Sequence, residues 1–324
     1  FAFRQEGWHF ELNNEDELEI NGIVYNEMKG VYSDPEEVLS ETVGSALFPD
    51  TVYSKDSGGD PDVIPELTYE NYLRFYNTHY HPSNSFLFFY GDTDIEKHLK
   101  KLNDDYLSKY ERIERPIARL YQTPFDKPVF CSKEYDAEDD DSIETSFYFA
   151  KAYAMTEAGN MKDIYALNVL IKILFDTDSS PLKKALTDLG IASETVCDFT
   201  TCVRQPYFTI AAKNAKKETL SIFEETIDKT LKSLVANGID KDLIKASLNN
   251  FEFDLREADS GNYPKGVVDI IHIMESWLYG EDPFGQLEYE SVLKYLRENE
   301  TSEFYTGLIE KFLLSNTHSC TVVL

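Results

Sequence analysis

Apolar residues in the first third of the chain recur at helical spacing and run together at one place. From Gly22 to Phe48 the spacing predicts one long or broken helix, restarted at Pro35 after Ser33-Asp34. Proline suits the first turn of a helix and disrupts its interior, so a restart there is favoured. A polar, glycine-containing loop from Val52 to Pro65 leads to a second helix over Thr68–Tyr80, with Leu67, Tyr72, Phe75 and Tyr76 on one side. Phe86-Leu87-Phe88-Phe89-Tyr90 is an unbroken apolar run, short enough for a buried strand. Gly91-Asp92 then turns the chain into a helix over Asp94–Tyr110.

Arg115 to Pro128 carries three prolines and no periodicity, which predicts a linker between a first unit, 1–114, and a second, 129–324. Beyond it the pattern restarts. Strands are expected at Val129–Tyr135 and Ile143–Ala150, flanking the acidic loop Asp136–Asp141. Ile164, Leu167, Ile171 and Leu174 mark a helix over Asn160–Phe175, and strands follow at Ile191–Phe199 and Tyr207–Lys213. The stripe Leu220, Phe223, Ile227, Leu231, Leu234 stops at Asn237-Gly238, a helix-ending pair. Asp240 caps the next helix, to Ala258, and others cover Lys265–Tyr279, Gln286–Arg297 and Ser302–Leu313 before a strand at Thr317–Leu324. This is a mixed α+β pattern. The first unit reads like the back half of a similar one, which suggests structural duplicates.

Charge narrows the partners. With 31 basic and 59 acidic residues the net charge is −28, which phosphate backbones repel, so no nucleic acid is expected. Such a field concentrates cations and suits basic peptides, although an acidic surface also serves solubility alone. A hydrophobic share of 42% supports real cores and excludes wholesale disorder. Cys131, Cys197, Cys202 and Cys320 are too few and scattered for a disulfide framework, which favours a reducing compartment. No stretch approaches the roughly 18 apolar residues of a membrane span, so no membrane partner is expected. The opening Phe-Ala-Phe-Arg-Gln-Glu-Gly-Trp is neither signal nor transit peptide and reads as a start in mid-domain, as in a processed or excised piece.

Four groups could carry chemistry. Lys55-Asp56-Ser57-Gly58-Gly59-Asp60 is close to the nucleophile signature of serine proteases, but helices surround it and it reads as a glycine turn. His79-Tyr80-His81 offers two imidazoles; with Pro82 following and no third ligand placed, a helix end is favoured over a metal. Cys197 and Cys202 lack the second Cys/His pair of a zinc knuckle and read as small buried hydrophobes. Glu27, in Gly22-Ile23-Val24-Tyr25-Asn26-Glu27-Met28-Lys29-Gly30, is by itself a surface residue favoured by the helix dipole.

Several clusters, in order along nearly the whole chain, resemble the presequence protease and falcilysin branch of the pitrilysin–insulinase metallopeptidase family. They are Gln5 to Leu12, Gly22 to Tyr32, Leu47-Phe48-Pro49-Asp50, Asp56 to Pro61, and Tyr80-His81-Pro82-Ser83-Asn84. Asn262-Tyr263-Pro264-Lys265-Gly266 and Trp277-Leu278-Tyr279-Gly280, with Asp282-Pro283-Phe284, continue the resemblance. It implies the C-terminal part of one pitrilysin-type α/β domain followed by a second, similar, non-catalytic domain. It implies zinc held by an inverted His-x-x-Glu-His motif and by a later glutamate, matched here by Glu27. None of His9, His79, His81, His98, His272 or His318 lies in such a string. The histidines and the water-activating glutamate are therefore expected upstream, leaving this chain alone inactive and without catalytic residues. Unstructured peptides, such as targeting presequences, would be degraded in a closed chamber, with the N-terminal segment and C-terminal half of the same enzyme as partners. A mitochondrial or other organelle matrix is implied in the same way. The alternative is a non-catalytic structural or binding subunit of the superfamily.

Overall fold

The computed structural model describes residues 3–114, 118–135, 143–257 and 261–324. A hairpin comes first, and the apolar spacing did not predict it: β1 (His9–Leu12) pairs antiparallel with β2 (Leu18–Asn21), His9 opposite Asn21. Asn13 builds the turn. Its Oδ1 accepts from the N–H groups of Glu15 and Glu17 at 3.0 and 2.9 Å, and Asp16 takes a left-handed φ of 60°.

The expected helix from Gly22 is two helices, α1 (Ile23–Tyr32) and α2 (Pro35–Leu47), broken where Pro35 stands. Asp34 caps α2 by accepting from the Glu36 N–H at 2.8 Å. α3 (Tyr69–His79) is capped by Thr68 and α4 (Ile95–Asp105) by Asp94. Neither α3 nor α4 buries any residue, and Phe75 and Tyr80 are 59% and 68% exposed. The run Phe86–Tyr90 is not a strand. It finds no ladder neighbour among the described residues and spends its rings on a helix instead, Phe86 lying edge-on to Trp277 at 4.6 Å.

One five-stranded sheet organises the rest. It comprises β3 (Val129–Ser132), β4 (Phe147–Ala154), β5 (Glu194–Thr200), β6 (Tyr207–Ala215) and β7 (Ser319–Val323), in the order β3-β7-β4-β6-β5. Only β3 and β7 run parallel; the other neighbours are antiparallel. The helices of this part are α5 (Met161–Phe175), α6 (Pro181–Asp188), α7 (Leu220–Asn237), α8 (Lys241–Glu257), α9 (Lys265–Trp277), α10 (Glu290–Glu298) and α11 (Ser302–Ile309). α6 escaped the sequence reading although Ser180-Pro181 marks its start. α5 is apolar nearly all round and accordingly buried, with nine residues inside from Ile164 to Phe175.

Strand alternation gives the sheet two unlike faces. Phe149 and Tyr153 of β4, with Phe208 and Ile210 of β6, point into the large core beneath α5, α7 and α8. Ala150, Ala152, Ala154 and Ala211 point the other way and form a low floor. On that floor lies α2, inserting Val38, Leu39, Val43 and Leu47. Small side chains let the helix approach closely, so a helix from before residue 115 seals the sheet built after it. His318, preceding β7, pins the helix end: its Nε2 lies 2.8 Å from the Leu47 carbonyl, and its ring contacts Phe48 and Phe125. Burial holds its pKa below the usual histidine value, so the neutral ring donates through Nε2.

Within the segment expected to be a linker, the stretch around Gln122 is clamped. Gln122 is buried; its N–H donates to Gln205 Oε1 at 2.7 Å, and Gln205 Nε2 returns a bond to its carbonyl at 3.2 Å. Its own amide closes on Asp50, accepting from the backbone N–H at 2.9 Å and donating to Oδ2 at 3.1 Å. Limited proteolysis should therefore spare the peptide bonds on either side of Gln122, since cleavage needs backbone freed from such bonds. An early cut there, mapped by mass spectrometry, would contradict the clamp. The acidic loop Asp136–Asp141 lies outside the described residues. No helix among them is long and apolar enough to cross a membrane.

Candidate functional site

α1 is set against the preceding chain by contacts that require glycine. A Cβ on Gly22 would sit 2.1 Å from the Gly7 carbonyl oxygen, so backbone passes backbone there with no room for a side chain. Asn21 ties the helix start: its Oδ1 accepts from the Gly22 N–H at 2.8 Å and from Asn26 Nδ2 at 2.7 Å. Further along α1, Met28 is buried. Gly58 explains it, because a Cβ there would lie 2.3 Å from the Met28 sulfur.

The Ser57-Gly58-Gly59 motif is thus a packing turn. Asp56 Oδ1 accepts from the Gly58 N–H at 2.7 Å, Gly59 takes a positive φ of 96°, and Ser57 is exposed. At the C-terminal end of α1, Tyr32 meets Asp56, Asp60 and Glu41. Burial first, then these carboxylates, raises the Tyr32 pKa, while the Lys133 ammonium lies 5.4 Å from its ring. Glu41 is also raised, chiefly by burial and then by Asp56 and Glu37.

Glu27 itself is exposed, on a helix whose neighbouring residue Met28 is fixed inside. It makes no hydrogen bond or ion pair with the described residues. The histidines are not gathered near it. His9 Nδ1 lies 2.8 Å from the Arg4 carbonyl, His81 Nδ1 accepts from the Ser83 N–H at 3.1 Å, and His79 packs on Phe75 at 4.3 Å. His79 and His81 therefore serve a helix end and a cap. No three His, Cys, Asp or Glu side chains are placed to hold one metal ion among the described residues. Glu27 can supply one ligand, and a zinc centre needs three or four, so these residues alone do not fit the metal. All four cysteines are free thiols, and burial pushes Cys197 up to about 12, far from a reactive thiolate.

Two arrangements escaped the sequence reading. Tyr53 and Tyr279 meet hydroxyl to hydroxyl at 3.0 Å; Tyr53 accepts from the Arg204 N–H at 3.0 Å and Tyr279 donates to the Cys202 carbonyl at 3.1 Å. The second is a cavity between α5, α8 and α9 that holds Glu275. An acid three residues after His272, next to the apolar run Ile273-Met274, was its signal.

Comparison with known proteins places these features. Residues 66–251 match the family model described as the peptidase M16 inactive domain; Glu27 lies ahead of that stretch. Protein HypA of Clostridium perfringens is 42% identical over 323 residues, covering 99% of this chain and 33% of that protein. Presequence protease 1, chloroplastic/mitochondrial, of Arabidopsis thaliana is 36% identical over 330 residues, covering 99% of this chain and 30% of that protein. The chain thus spans about a third of the length of these curated relatives. Among solved structures, a protease from Helicobacter pylori superposes with a TM-score of 0.72 over 93% of this chain and 70% of that one, at 18% identity.

Proposed function

The chain belongs to the M16 peptidase family, and on that premise we propose that it is part of a zinc metalloendopeptidase degrading unstructured peptides inside a closed chamber. Presequence proteases among its relatives support targeting peptides as one substrate class. The observation that carries the reading is Glu27, exposed and uncommitted on a helix locked by Gly22 and Met28. A carboxylate presented in this way is ready to join ligands from elsewhere. The rest of the donor set, a His-x-x-Glu-His segment, belongs in this reading to another part of the same protein. Zinc, once bound, supplies an activated water; this chain's part is to hold one carboxylate in place. Residues 129–324 form, in this proposal, a non-catalytic wall of the chamber.

The exposed aromatic residues of α3, with Leu87, Phe89 and Tyr90 beyond it, support a partner from the same enzyme, because large apolar surfaces favour burial. The relatives include a bacterial protein as well as organellar ones, so the chemistry carries over better than an organelle matrix does. A second reading, a non-catalytic subunit, is favoured by the match to an inactive domain. One measurement separates the two. In the whole protein, Glu27→Gln should lower bound zinc, read by elemental analysis, by more than the roughly 10- to 100-fold in affinity that is lost when only a group supporting a zinc ligand is removed. Unchanged zinc content, or none in the parent protein, would sink the peptidase reading and leave the subunit.

A further inference from the structure

We propose that the cavity between α5, α8 and α9 binds an alkylguanidinium or alkylammonium group with an adjoining carbonyl, the chemistry of an arginine or lysine residue. The cavity measures about 570 Å³, within the range of small-molecule sites. Tyr165 and Phe251 meet edge to face at 5.3 Å on its wall. Outside, α9 is held by Trp277 on Phe86, and a Cβ on Gly266 would lie 2.6 Å from the Tyr90 ring. The run Phe86–Tyr90 therefore fixes α9, which shares the polar groups of the cavity with α5, α8 and the segment carrying Gln286.

Two of those groups lack what they need. Gln286 is 9% exposed, and its Nε2 donates to nothing among the described residues. A buried donor left so costs about 1–3 kcal/mol unless a ligand or water accepts from it. Glu275 is mostly buried, with Thr201 Oγ1 donating to it at 3.0 Å and no ion-pair partner among the described residues. The other carboxylates of the cavity are answered already: Asp254 by Lys172 at 2.9 Å and Asp269 by Lys265 at 3.4 Å. What remains among the described residues is one carboxylate without an ion pair and one amide donor without an acceptor. An anion would meet Glu275 unfavourably, and an apolar ligand would leave both groups unsatisfied. A cationic side chain with its neighbouring carbonyl answers both, and the rings of Tyr165 and Phe251 favour a cation further.

The charged and titratable groups lining the cavity with Glu275 are Asp254 from α8, Lys265, Asp269 and His272 from α9, Tyr165 from α5 and Tyr289, and the Cys202 thiol outside the lining also feels its charge. Burial raises the Glu275 pKa, and the Thr201 hydrogen bond, then the nearby His272, work against that rise. Affinity for a cation should accordingly increase with pH as Glu275 ionises.

The site stands independently of the peptidase reading. The test is ligand-observed NMR on the full chain with L-arginine, N-acetyl-L-argininamide and the neutral isostere N-acetyl-L-citrullinamide. Binding of either arginine compound, at least about tenfold tighter than the citrulline compound, supports the site. Preference for the capped form identifies a residue within a peptide, and preference for free arginine identifies the amino acid. Glu275→Gln keeps an oxygen for Thr201 and should weaken arginine binding about tenfold. No binding by either arginine compound, equal binding by citrulline, or an unaffected Glu275→Gln variant would overturn the proposal. The citrulline comparison uses the unaltered chain, so a poorly folding variant would not obscure the outcome.

Discussion

Replacing Phe208 by alanine is expected to cost about 3–5 kcal/mol of unfolding free energy, the range for a buried phenylalanine emptied into a packed core. Phe208 is fully buried on β6, pairing with Tyr153 across β4 and Phe199 across β5. Its ring points into the large core shared with α5, α7 and α8. Those helices are fixed by many other contacts, so they cannot collapse into the space, and the upper part of the range applies. Denaturant unfolding should move its midpoint down with an unchanged slope, because the surface exposed on unfolding is the same. A loss under about 1 kcal/mol would mean that the core is looser than its burial indicates.

Ala152→Leu should act from the opposite face and in a different way. Ala152 is fully buried on the floor beneath α2, between Thr209 of β6 and Cys320 of β7. Three further heavy atoms there have nowhere to go except against α2. Overpacking of this kind costs typically about 1–3 kcal/mol. The more telling readout is local: amides of α2 should lose hydrogen-exchange protection while those of α5 keep theirs. Equal loss in both helices would mean that the strain spreads through the sheet, and no loss would mean that the floor has room.

The contrast between these positions also marks what the sequence could disclose. Phe208 sits in an alternating run that reads as a strand with an apolar face, and the helices beneath it were legible from stripes such as Phe223, Ile227 and Leu231. The alanines were not legible as a helix seat, because a small residue signals closeness only when its neighbour is known. Phe86–Tyr90 misled for a related reason: an apolar run states that burial is wanted, not whether a strand or Trp277 will supply it. The β1–β2 hairpin was missed because each strand is four residues long, too short for the alternation of Phe10 and Leu12, or of Leu18 and Ile20, to stand out. At the candidate metal site, Glu27 was found through resemblance to a family, as its own surroundings distinguish it from no other surface glutamate. Glu275 and Gln286 lie near each other in the chain, but Tyr165, Thr201 and Phe251, which complete their cavity, come from distant segments, so only the fold could bring the site together.

The seating of α2 on the alanine floor bears on how this polypeptide would behave if divided. Val38, Leu39, Val43 and Leu47 lie before Arg115–Pro128 in sequence, while the surface they cover lies after it. The backbone joining them acts as a tether that raises local concentration, to the millimolar range for short flexible connections, rather than as the bond itself. Two separately expressed halves, split near Arg119, would then be complementing fragments, each supplying one surface of a shared interior. Their reassembly would depend on concentration, as any bimolecular equilibrium does, and the tether's worth could be read directly from that dependence.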